Sequence, residues 1–226
     1  MSNNDTPPAA EQLDCPQGVE CPYYAELLEL RNSVTQLQKD AHTDALTGLY
    51  NNRHFQISLR QEIERTQRTG QPTTLVLVDL DFFKKINDAW GHVAGDAALK
   101  HIALILQNSL RKLDVPCRYG GEEFAILLPS TPLLVAVQVA ERLRTMIANN
   151  PLSWEEKSIP LTASFGVDAL LTGREFTPEK FVASVDHWLY EAKKNGRNRV
   201  QFGAGKRVTK QMVSAAEKNA LNDLQE

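Results

Sequence analysis

The sequence has little cysteine and no long apolar run. Only three of its 226 residues are cysteines, a small and odd number that argues against a secreted, disulfide-stapled protein. No run of about 18 consecutive apolar residues occurs, which is the length at which a membrane helix becomes a candidate. The N-terminus also lacks the basic and apolar segments of a signal peptide. These absences predict a cytoplasmic protein that does not enter a membrane.

The chain also lacks an excess of basic residues. It holds 25 Lys and Arg against 28 Asp and Glu, which gives a formal net charge of −3 and no indication of a nucleic-acid partner. No GxxxxGK[ST] phosphate loop is present. The acidity lies in residues 1–42, with seven acids and two bases, whereas residues 43–203 hold 18 acids and 19 bases. A nearly neutral body can still bind an anionic ligand where its basic side chains converge.

With 42% hydrophobic and 23% charged residues, the composition is typical of a globular protein. Residues 1–21 are polar and proline-containing, and we expect a flexible tail there. Residues 204–226 are predicted to form a C-terminal tail that is partly helical. Residues 43–203 between them are expected to form the main domain.

Residues 22–42 are predicted to form an amphipathic helix. Their apolar side chains follow the 4-3-4-3-4 spacing of a coiled-coil seam: Tyr23, Leu27, Leu30, Val34, Leu37 and Ala41. The pattern spans fewer than three heptads. Three interpretations of this segment therefore remain open: a helix packed on its own domain, the seam of a parallel dimer, and a partner-binding helix.

Helical and strand patterns alternate along residues 43–203. We expect helices from Phe55 to Gly70 and over 93–113, 132–149 and 178–194. We expect strands over 74–79, 117–119, 124–128, 161–167 and 199–202, with Gly120 and Gly121 in a hairpin turn. This order predicts an α+β fold in which one sheet has helices packed on its face.

Acidic residues stand at the ends of two predicted strands. Asp79 closes one strand, and Glu122 and Glu123 follow the two glycines of the hairpin. Neighbouring strands that bring Asp79 and Glu122 within about 4–5 Å would create an oxygen-ligand site suited to Mg²⁺ and substrate phosphates. Glycines at the turn allow a nucleotide to approach the backbone closely. For Asp79 alone, a solvated turn carboxylate is the alternative.

Further polar residues follow the first of these strands. Lys84 is a candidate phosphate ligand, and Asn87 and Asp96 offer the acceptor and donor groups that read a purine edge. Helix capping is the alternative for Asn87 and Asp96. Lys193 and Arg197 flank a predicted helix C-terminus, where basic residues also complement the helix dipole.

Several segments carry a family resemblance, in order and at the expected spacing. They are Asp44-Ala-Leu-Thr-Gly-Leu-Tyr-Asn51, Asp79-Leu-Asp-Phe-Phe-Lys84, Asn87-Asp88, Gly91-His92, Gly95-Asp96, Arg118-Tyr-Gly-Gly-Glu-Glu-Phe124, and Ala192-Lys193 with Gly196-Arg-Asn-Arg199. Over roughly residues 40–203 the chain therefore resembles the GGDEF family of diguanylate cyclases. Glu122 stands at the aspartate position of the family name, and its longer side chain keeps the carboxylate ligand.

The resemblance implies a ferredoxin-like sheet of the nucleotidyl-cyclase or palm type, covered by helices and preceded here by an N-terminal helix. It implies condensation of two GTP into cyclic di-GMP with release of two pyrophosphates. The metal, about two Mg²⁺ per GTP half-site with Mn²⁺ as an alternative, would be held by Asp79, Leu80 and Glu122. Glu122 and Glu123 would be catalytic. The implied GTP-binding residues are Phe82, Phe83, Lys84, Asn87, His92, Asp96, Lys193 and Arg197.

The resemblance also implies a homodimer, because each domain binds one GTP and the two must face each other. The seam at residues 23–41 would then raise the effective concentration of the two half-sites. Arg111 and Asp114 match the RxxD motif of an inhibitory product site, with Arg142 as a third member and Arg65 supplied by a neighbouring domain. An exposed ion pair at a helix end is the alternative for the RxxD motif.

Other features depart from the family pattern or leave its function open. Asn52 stands where the opening motif usually has arginine. Cys15 and Cys21 are candidates for metal binding or redox sensing, and Cys117 is predicted to be a buried strand residue. A catalytically silent cyclic di-GMP receptor is the alternative function. An activating protein partner at the N-terminal helix is compatible with the enzyme.

Overall fold

A computed structural model describes residues 22–171 and 177–203. The helices are α1 (Tyr24–His42), α2 (Asn52–Thr69), α3 (Phe83–Trp90), α4 (His92–Ser109), α5 (Leu133–Asn149) and α6 (Pro178–Lys194). The strands are β1 (Tyr50–Asn51), β2 (Thr73–Leu80), β3 (Val115–Arg118), β4 (Glu123–Leu128), β5 (Leu152–Trp154), β6 (Lys157–Ile159), β7 (Ala163–Leu170) and β8 (Val200–Phe202). The predictions for 1–21, 204–226, Cys15 and Cys21 lie outside the described residues, as does the side chain of Leu37.

Six strands form one mixed sheet in the order β1-β3-β4-β2-β7-β8, and β5 and β6 form a separate hairpin. The four inner strands β3, β4, β2 and β7 pair with one another in antiparallel fashion, whereas the edge strands β1 and β8 pair in parallel with β3 and β7. This order, with α3 and α4 after β2 and α5 after β4, is that of a ferredoxin-like β-α-β-β-α-β unit. The predicted fold class is confirmed.

Helices cover both faces of the sheet rather than the one face expected. Val76 and Val78 of β2 share a buried cluster with α3, α4 and α5, while Leu75 and Leu77 share a second cluster with α2 and α6. Every residue of β2 is therefore buried. A strand buried on both faces has an unbroken apolar run instead of an alternating pattern, which explains the sequence of β2.

The helix predictions failed at two places. The helix expected to reach residue 113 ends at Ser109, because Leu110 adopts extended backbone (φ −99°, ψ 158°) and residues 111–114 form a turn. Residues 83–90, for which no helix was predicted, form α3. With only eight residues it spans little more than two turns, too short for a clear period. Asn87 consequently lies within α3 and Asp96 within α4, so neither caps a helix.

Strand predictions were closer to the structure. β3 runs over Val115–Arg118 instead of 117–119, and β7 extends to Leu170. Cys117 is fully buried in β3, as predicted, and burial raises the pKa of its thiol to about 12. Its thiol therefore stays protonated and unreactive near neutral pH.

The apolar seam of α1 is exposed on the described chain. Tyr23, Leu30 and Val34 have 65%, 56% and 52% of their surface accessible. The interpretation in which this helix packs on its own domain is therefore not supported, and the two interpretations that involve a partner stay open. Among residues 22–171 and 177–203, no helix combines the length and apolar character needed to cross a membrane.

Helix α6 lies very close to the sheet at Gly166 of β7. A Cβ at this position would lie 2.3 Å from the amide nitrogen of Leu189 and 2.4 Å from the carbonyl oxygen of Val185, both on α6. Only glycine allows the backbones to come this near. The contact sets the position of α6 on the sheet, and with it that of Lys193 in its last turn.

We predict that Gly166→Ala lowers the free energy of unfolding by about 1–3 kcal/mol, because α6 must move away from β7 to admit the methyl group. Urea denaturation would measure the change. Gly121→Ala is the matched control, since a Cβ at Gly121 meets nothing within 4 Å. Equal stability of the two variants would contradict the close-packing argument.

Candidate nucleotide and metal site

The predicted acidic residues meet at the ends of β2 and β4. In the antiparallel register Asp79 lies opposite Glu123. The backbone N–H of Leu80 donates a hydrogen bond of 3.3 Å to the carbonyl oxygen of Glu122. Asp79, Leu80, Glu122 and Glu123 are thus brought to one end of the sheet.

Electrostatics at this end favour a bound cation. Burial raises the pKa of Asp79, which is only 6% exposed, while Lys193 opposes the shift with its Nζ 2.8 Å from Oδ2. Burial also raises the pKa of Glu122, and the neighbouring Asp79 carboxylate adds to the shift. Two carboxylates that disfavour each other's charge gain from a cation placed between them.

The donor set fits a hard divalent ion. Two carboxylates and the Leu80 carbonyl are oxygen ligands of the kind that Mg²⁺ prefers, and Mg²⁺ keeps further positions for water and substrate phosphates. Within the described part of the chain, no group of three or more His, Cys, Asp or Glu side chains is placed to hold a metal ion. An ion at this end of the sheet would therefore rest on two carboxylates and one backbone carbonyl, and would need water or substrate oxygens as its further ligands.

A second part of the site is the start of α3. Phe82 precedes the helix in the left-handed conformation (φ 57°), so the chain turns sharply after β2. Its exposed ring has the Lys85 ammonium and the Arg197 guanidinium each 4.7 Å from its centre. The first amides of a helix have no acceptor within the helix, and together with nearby cations they suit an anion. Lys84 is exposed at this end, whereas Phe83 is buried.

Gly95, which precedes Asp96 in α4, allows Asn87 of α3 to lie close to that helix. A Cβ on Gly95 of α4 would lie 1.9 Å from Oδ1 of Asn87, so the amide of Asn87 rests directly against the α4 backbone. Asp96 is the next residue and is exposed, as is His92 at the start of α4. The pair predicted to read a purine edge therefore lies in one place, between α3 and α4.

The turn after α6 supplies the remaining basic groups. Lys193 lies in the last turn of α6, and Arg197 (φ 61°) and Asn198 (φ 43°) follow in the left-handed conformation. Asp81, to which sequence reasoning gave no role, accepts a hydrogen bond of 2.9 Å from the Asn198 amide. The one feature of the sequence that pointed to Asp81 was its position two residues after Asp79.

The hairpin is also tied to the segment that follows α1. The Arg118 guanidinium donates to the Gly121 carbonyl at 2.9 Å and to Asp44 Oδ2 at 3.2 Å. Sequence reasoning placed Asp44 and Arg118 in family motifs but did not predict that they touch. The contact joins the end of the helical arm to the glycine turn of the site.

Three of the four residues of the predicted inhibitory site lie together, away from the carboxylates. The Arg111 amide donates to Asp114 Oδ2 at 2.8 Å, and Arg142 donates to the Ser109 carbonyl at 2.8 Å. Burial raises the pKa of Asp114, opposed by its bond to the Arg111 amide and by the charges of Arg111 and Arg142. Arg65 belongs to another cluster on α2. Its guanidinium contacts Glu62, Thr73 and Ser130.

A ferredoxin-like sheet that holds acidic residues at the ends of two adjacent strands, beside a helix start with basic neighbours, is an arrangement suited to a metal ion and a phosphate. Comparison with protein families gives the particular family. Residues 41–199 match the family described as "Diguanylate cyclase, GGDEF domain". The chain belongs to the GGDEF family.

Curated relatives agree. The response regulator PleD of Caulobacter vibrioides is 41% identical over 173 residues, which cover 76% of this chain and 38% of PleD. Diguanylate cyclase DgcP of Pseudomonas aeruginosa is 40% identical over 186 residues, which cover 77% of this chain and 27% of DgcP. The matched region is thus less than half of either relative.

Solved structures of GGDEF proteins are similar in fold. The coiled coil and GGDEF domain of DgcB from Caulobacter crescentus, in complex with c-di-GMP, has a TM-score of 0.74 and 29% identity, covering 79% of this chain and 94% of that one. Diguanylate cyclase SiaD from Pseudomonas aeruginosa, in complex with its activator SiaC, has a TM-score of 0.71 and 38% identity, covering 79% and 68%.

The raised pKa of Glu122 predicts a pH dependence of stability in the metal-free protein. The unfolded chain releases this proton near the ordinary pKa of 4.5, whereas the folded protein holds it to higher pH. The unfolded state then binds fewer protons than the folded state, so the free energy of unfolding falls as pH rises through this window.

Glu122→Gln removes that contribution. We expect the difference in free energy of unfolding, wild type minus variant, to decrease as pH rises from about 4 upward through the window, measured by urea denaturation in the presence of a chelator. Glu64→Gln, which alters an exposed residue of α2, should give a difference that does not change with pH. A constant difference for Glu122→Gln would contradict the electrostatic account.

Proposed function

We propose that this chain is a diguanylate cyclase, with residues 43–203 as its catalytic domain. The observation that carries the proposal is the meeting of Asp79 and Glu122 at one sheet end, beside the start of α3 and the basic residues Lys193 and Arg197. Relatives named as diguanylate cyclases support it. In the reaction each 3′-oxygen forms a bond to the α-phosphorus of the other GTP. Two pyrophosphates leave, and one cyclic di-GMP remains.

Asp79, the Leu80 carbonyl and Glu122 would hold Mg²⁺, or Mn²⁺ in its place. When bound, the ion supplies charge neutralisation for the phosphates. Glu122, helped by Glu123, would accept the proton of the 3′-hydroxyl. Lys193, which pairs with Asp79 in the absence of ligand, is placed to turn toward the phosphates of GTP.

The remaining residues bind and orient the nucleotide. The amides near Phe82 and Phe83, with Lys84 and Arg197, hold the β- and γ-phosphates at the start of α3. Asp96 accepts from N1–H and N2–H₂ of guanine, and Asn87 binds the same base with His92 nearby. Nucleotidyl transfer depends mainly on in-line positioning and charge neutralisation, which this arrangement supplies.

The first test is incubation of the purified chain with GTP and Mg²⁺, followed by chromatography and mass spectrometry. We expect cyclic di-GMP from the wild type and at least a hundredfold less from Glu122→Gln, which keeps the shape but loses the charge and the base. Glu156→Gln, in the exposed turn between β5 and β6, is the matched control and should retain activity. Product formation by Glu122→Gln at the wild-type rate would refute the assignment.

Because each domain holds one GTP, the active form is a homodimer. The exposed apolar seam of α1 is suited to pair with a second copy as a parallel coiled coil. The solved DgcB structure, which contains a coiled coil with its GGDEF domain, supports this proposal. Pairing through α1 would hold the two half-sites at high effective concentration.

Deleting residues 1–40 should therefore lower turnover at nanomolar protein and restore it as protein concentration rises, because unlinked domains meet only by diffusion. Specific activity measured across a dilution series would show this dependence. An unrelated parallel dimeric coiled coil fused in place of residues 1–40 is the control and should restore activity at low concentration. Unchanged turnover of the truncated chain at low concentration would contradict the proposal that pairing through α1 supports activity.

We further propose that cyclic di-GMP inhibits the enzyme at Arg111, Asp114 and Arg142, with Arg65 supplied by a neighbouring domain. The three residues already lie together, and Asp114 orients the Arg111 backbone. Arginines bind a phosphate in a bidentate manner that few other side chains reproduce. Arg65 lies on α2 in a separate cluster with Glu62, so we assign its contribution to another copy of the domain.

Arg111→Ala should weaken inhibition by cyclic di-GMP at least tenfold, because an arginine–phosphate contact is lost, and should leave turnover of GTP intact. Inhibition curves with added product would measure the shift. Lys112→Ala, at the exposed neighbouring position, is the charge-matched control and should keep wild-type inhibition. Equal inhibition of the Arg111 variant and the wild type would remove the site from the proposal.

Two alternatives concern how the chain is used. SiaD was solved in complex with its activator SiaC, which supports an activating protein partner for this chain too, and we assign that partner to the exposed N-terminal helix. A silent cyclic di-GMP receptor is less well supported, because Asp79, Glu122, Glu123 and both hairpin glycines are all present. An inactive chain that recovers product formation at high protein concentration would indicate a missing partner. Continued inactivity would favour the receptor.

A further inference from the structure

Asp81 is a buried carboxylate to which the proposed reaction gives no role. Only 6% of its surface is exposed, yet both of its oxygens accept hydrogen bonds. Oδ1 accepts from the Ser164 hydroxyl at 2.7 Å. Oδ2 accepts from the Thr162 hydroxyl at 2.8 Å and from the backbone amide of Asn198 at 2.9 Å. Because both oxygens accept hydrogen bonds, the carboxylate is held in a fixed position.

The hydrogen bond from the Asn198 amide to Asp81 connects two distant parts of the chain. Asn198 lies 117 residues further along the chain, in the turn that carries Arg197. Both residues have positive φ, which side chains other than glycine adopt rarely unless the surroundings hold them there. The same turn is held from α5, where Arg144 donates to the Asn198 side chain at 3.0 Å. Asp81 therefore holds the backbone of this turn and Arg144 holds its side chain.

Asp81 also joins two parts of the proposed phosphate site. Along the chain Asp81 comes directly after β2 and is followed by Phe82, where the chain turns into α3. Across the hydrogen bond, Asn198 is preceded by Arg197, whose guanidinium lies 4.7 Å from the centre of the Phe82 ring. One side chain thus connects the start of α3 with the turn that presents Arg197.

We propose that Asp81 is a positioning residue that fixes the Arg197 turn relative to the start of α3, so that both meet the phosphates of one nucleotide. This inference rests on the proposed function, because it assigns the ligand of the turn as a nucleoside triphosphate. Asp81 does not touch the nucleotide. It acts through the backbone of Asn198, and its effect on binding therefore depends on Arg197.

A double-mutant cycle separates positioning from general stability. The probe is a non-hydrolysable GTP analogue with Mg²⁺, titrated by calorimetry into the full chain. Asp81→Ala should weaken analogue binding about tenfold in the wild-type background, as expected for loss of a charged phosphate contact. In the Arg197→Ala background the same change should cost less than about twofold, because the group that Asp81 positions is already gone.

Two further variants serve as controls. Asp81→Asn keeps an acceptor oxygen for Asn198 and Thr162, and its amide can donate to the Ser164 hydroxyl, so binding should stay within about threefold of the wild type. Ser164→Ala removes one hydrogen bond from the same carboxylate but leaves the bond to Asn198. It should lower the melting temperature without changing analogue affinity.

Hydrogen exchange gives a test on the unmodified protein, which matters where Asp81→Ala does not fold. The Asn198 amide should exchange slowly because a buried carboxylate holds it, and rapid exchange would overturn the inference. Equal losses of affinity from Asp81→Ala in both backgrounds, or an Asp81→Asn variant that folds but binds tenfold more weakly, would overturn it too. A wild-type chain that binds no analogue would instead refute the proposed function, and this inference with it.

Discussion

Antiparallel pairing of β2 with β4 is the constraint on which the site depends. Six residue pairs, from Thr74 with Leu128 to Asp79 with Glu123, set the register between the two strands. Side chains alternate between the faces of a sheet, so a slip of one residue would turn the Asp79 carboxylate to the opposite face. The buried apolar residues of both strands prevent that slip, since each face is covered by helices. The core therefore determines where the acidic residues lie.

The same site costs the folded protein some stability. Burial disfavours the charged forms of Asp79 and Glu122, and their proximity adds to the cost. Lys193 offsets part of it through its ion pair with Asp79. A cation and an anionic ligand that arrive together would replace this internal pair by new ones. Unfavourable electrostatic interactions of this kind are common where a protein holds charged groups in place for a ligand.

Local sequence signals predicted much of the fold. Helix α6 was predicted at its observed bounds, and the hairpin that carries Glu122 was predicted from two strand patterns separated by two glycines. Short α3 was missed because eight residues give too little periodicity, and the end of α4 was missed because Leu110 continues the apolar pattern in extended backbone. The contacts of Asp81 with Asn198 and of Arg118 with Asp44 join residues 117 and 74 positions apart, and no local pattern reports such pairs.

In the proposed function, a divalent ion and a nucleotide share the ends of β2 and β4. Crystals grown with Mn²⁺ and a non-hydrolysable GTP analogue would test it directly, because Mn²⁺ gives an anomalous signal and accepts the same oxygen ligands as Mg²⁺. We predict an anomalous peak that places Mn²⁺ within bonding distance of Asp79, the Leu80 carbonyl and Glu122. The phosphates of the analogue should lie at the start of α3. A bound analogue with no peak between these residues, or a peak at another place on the chain, would contradict the account.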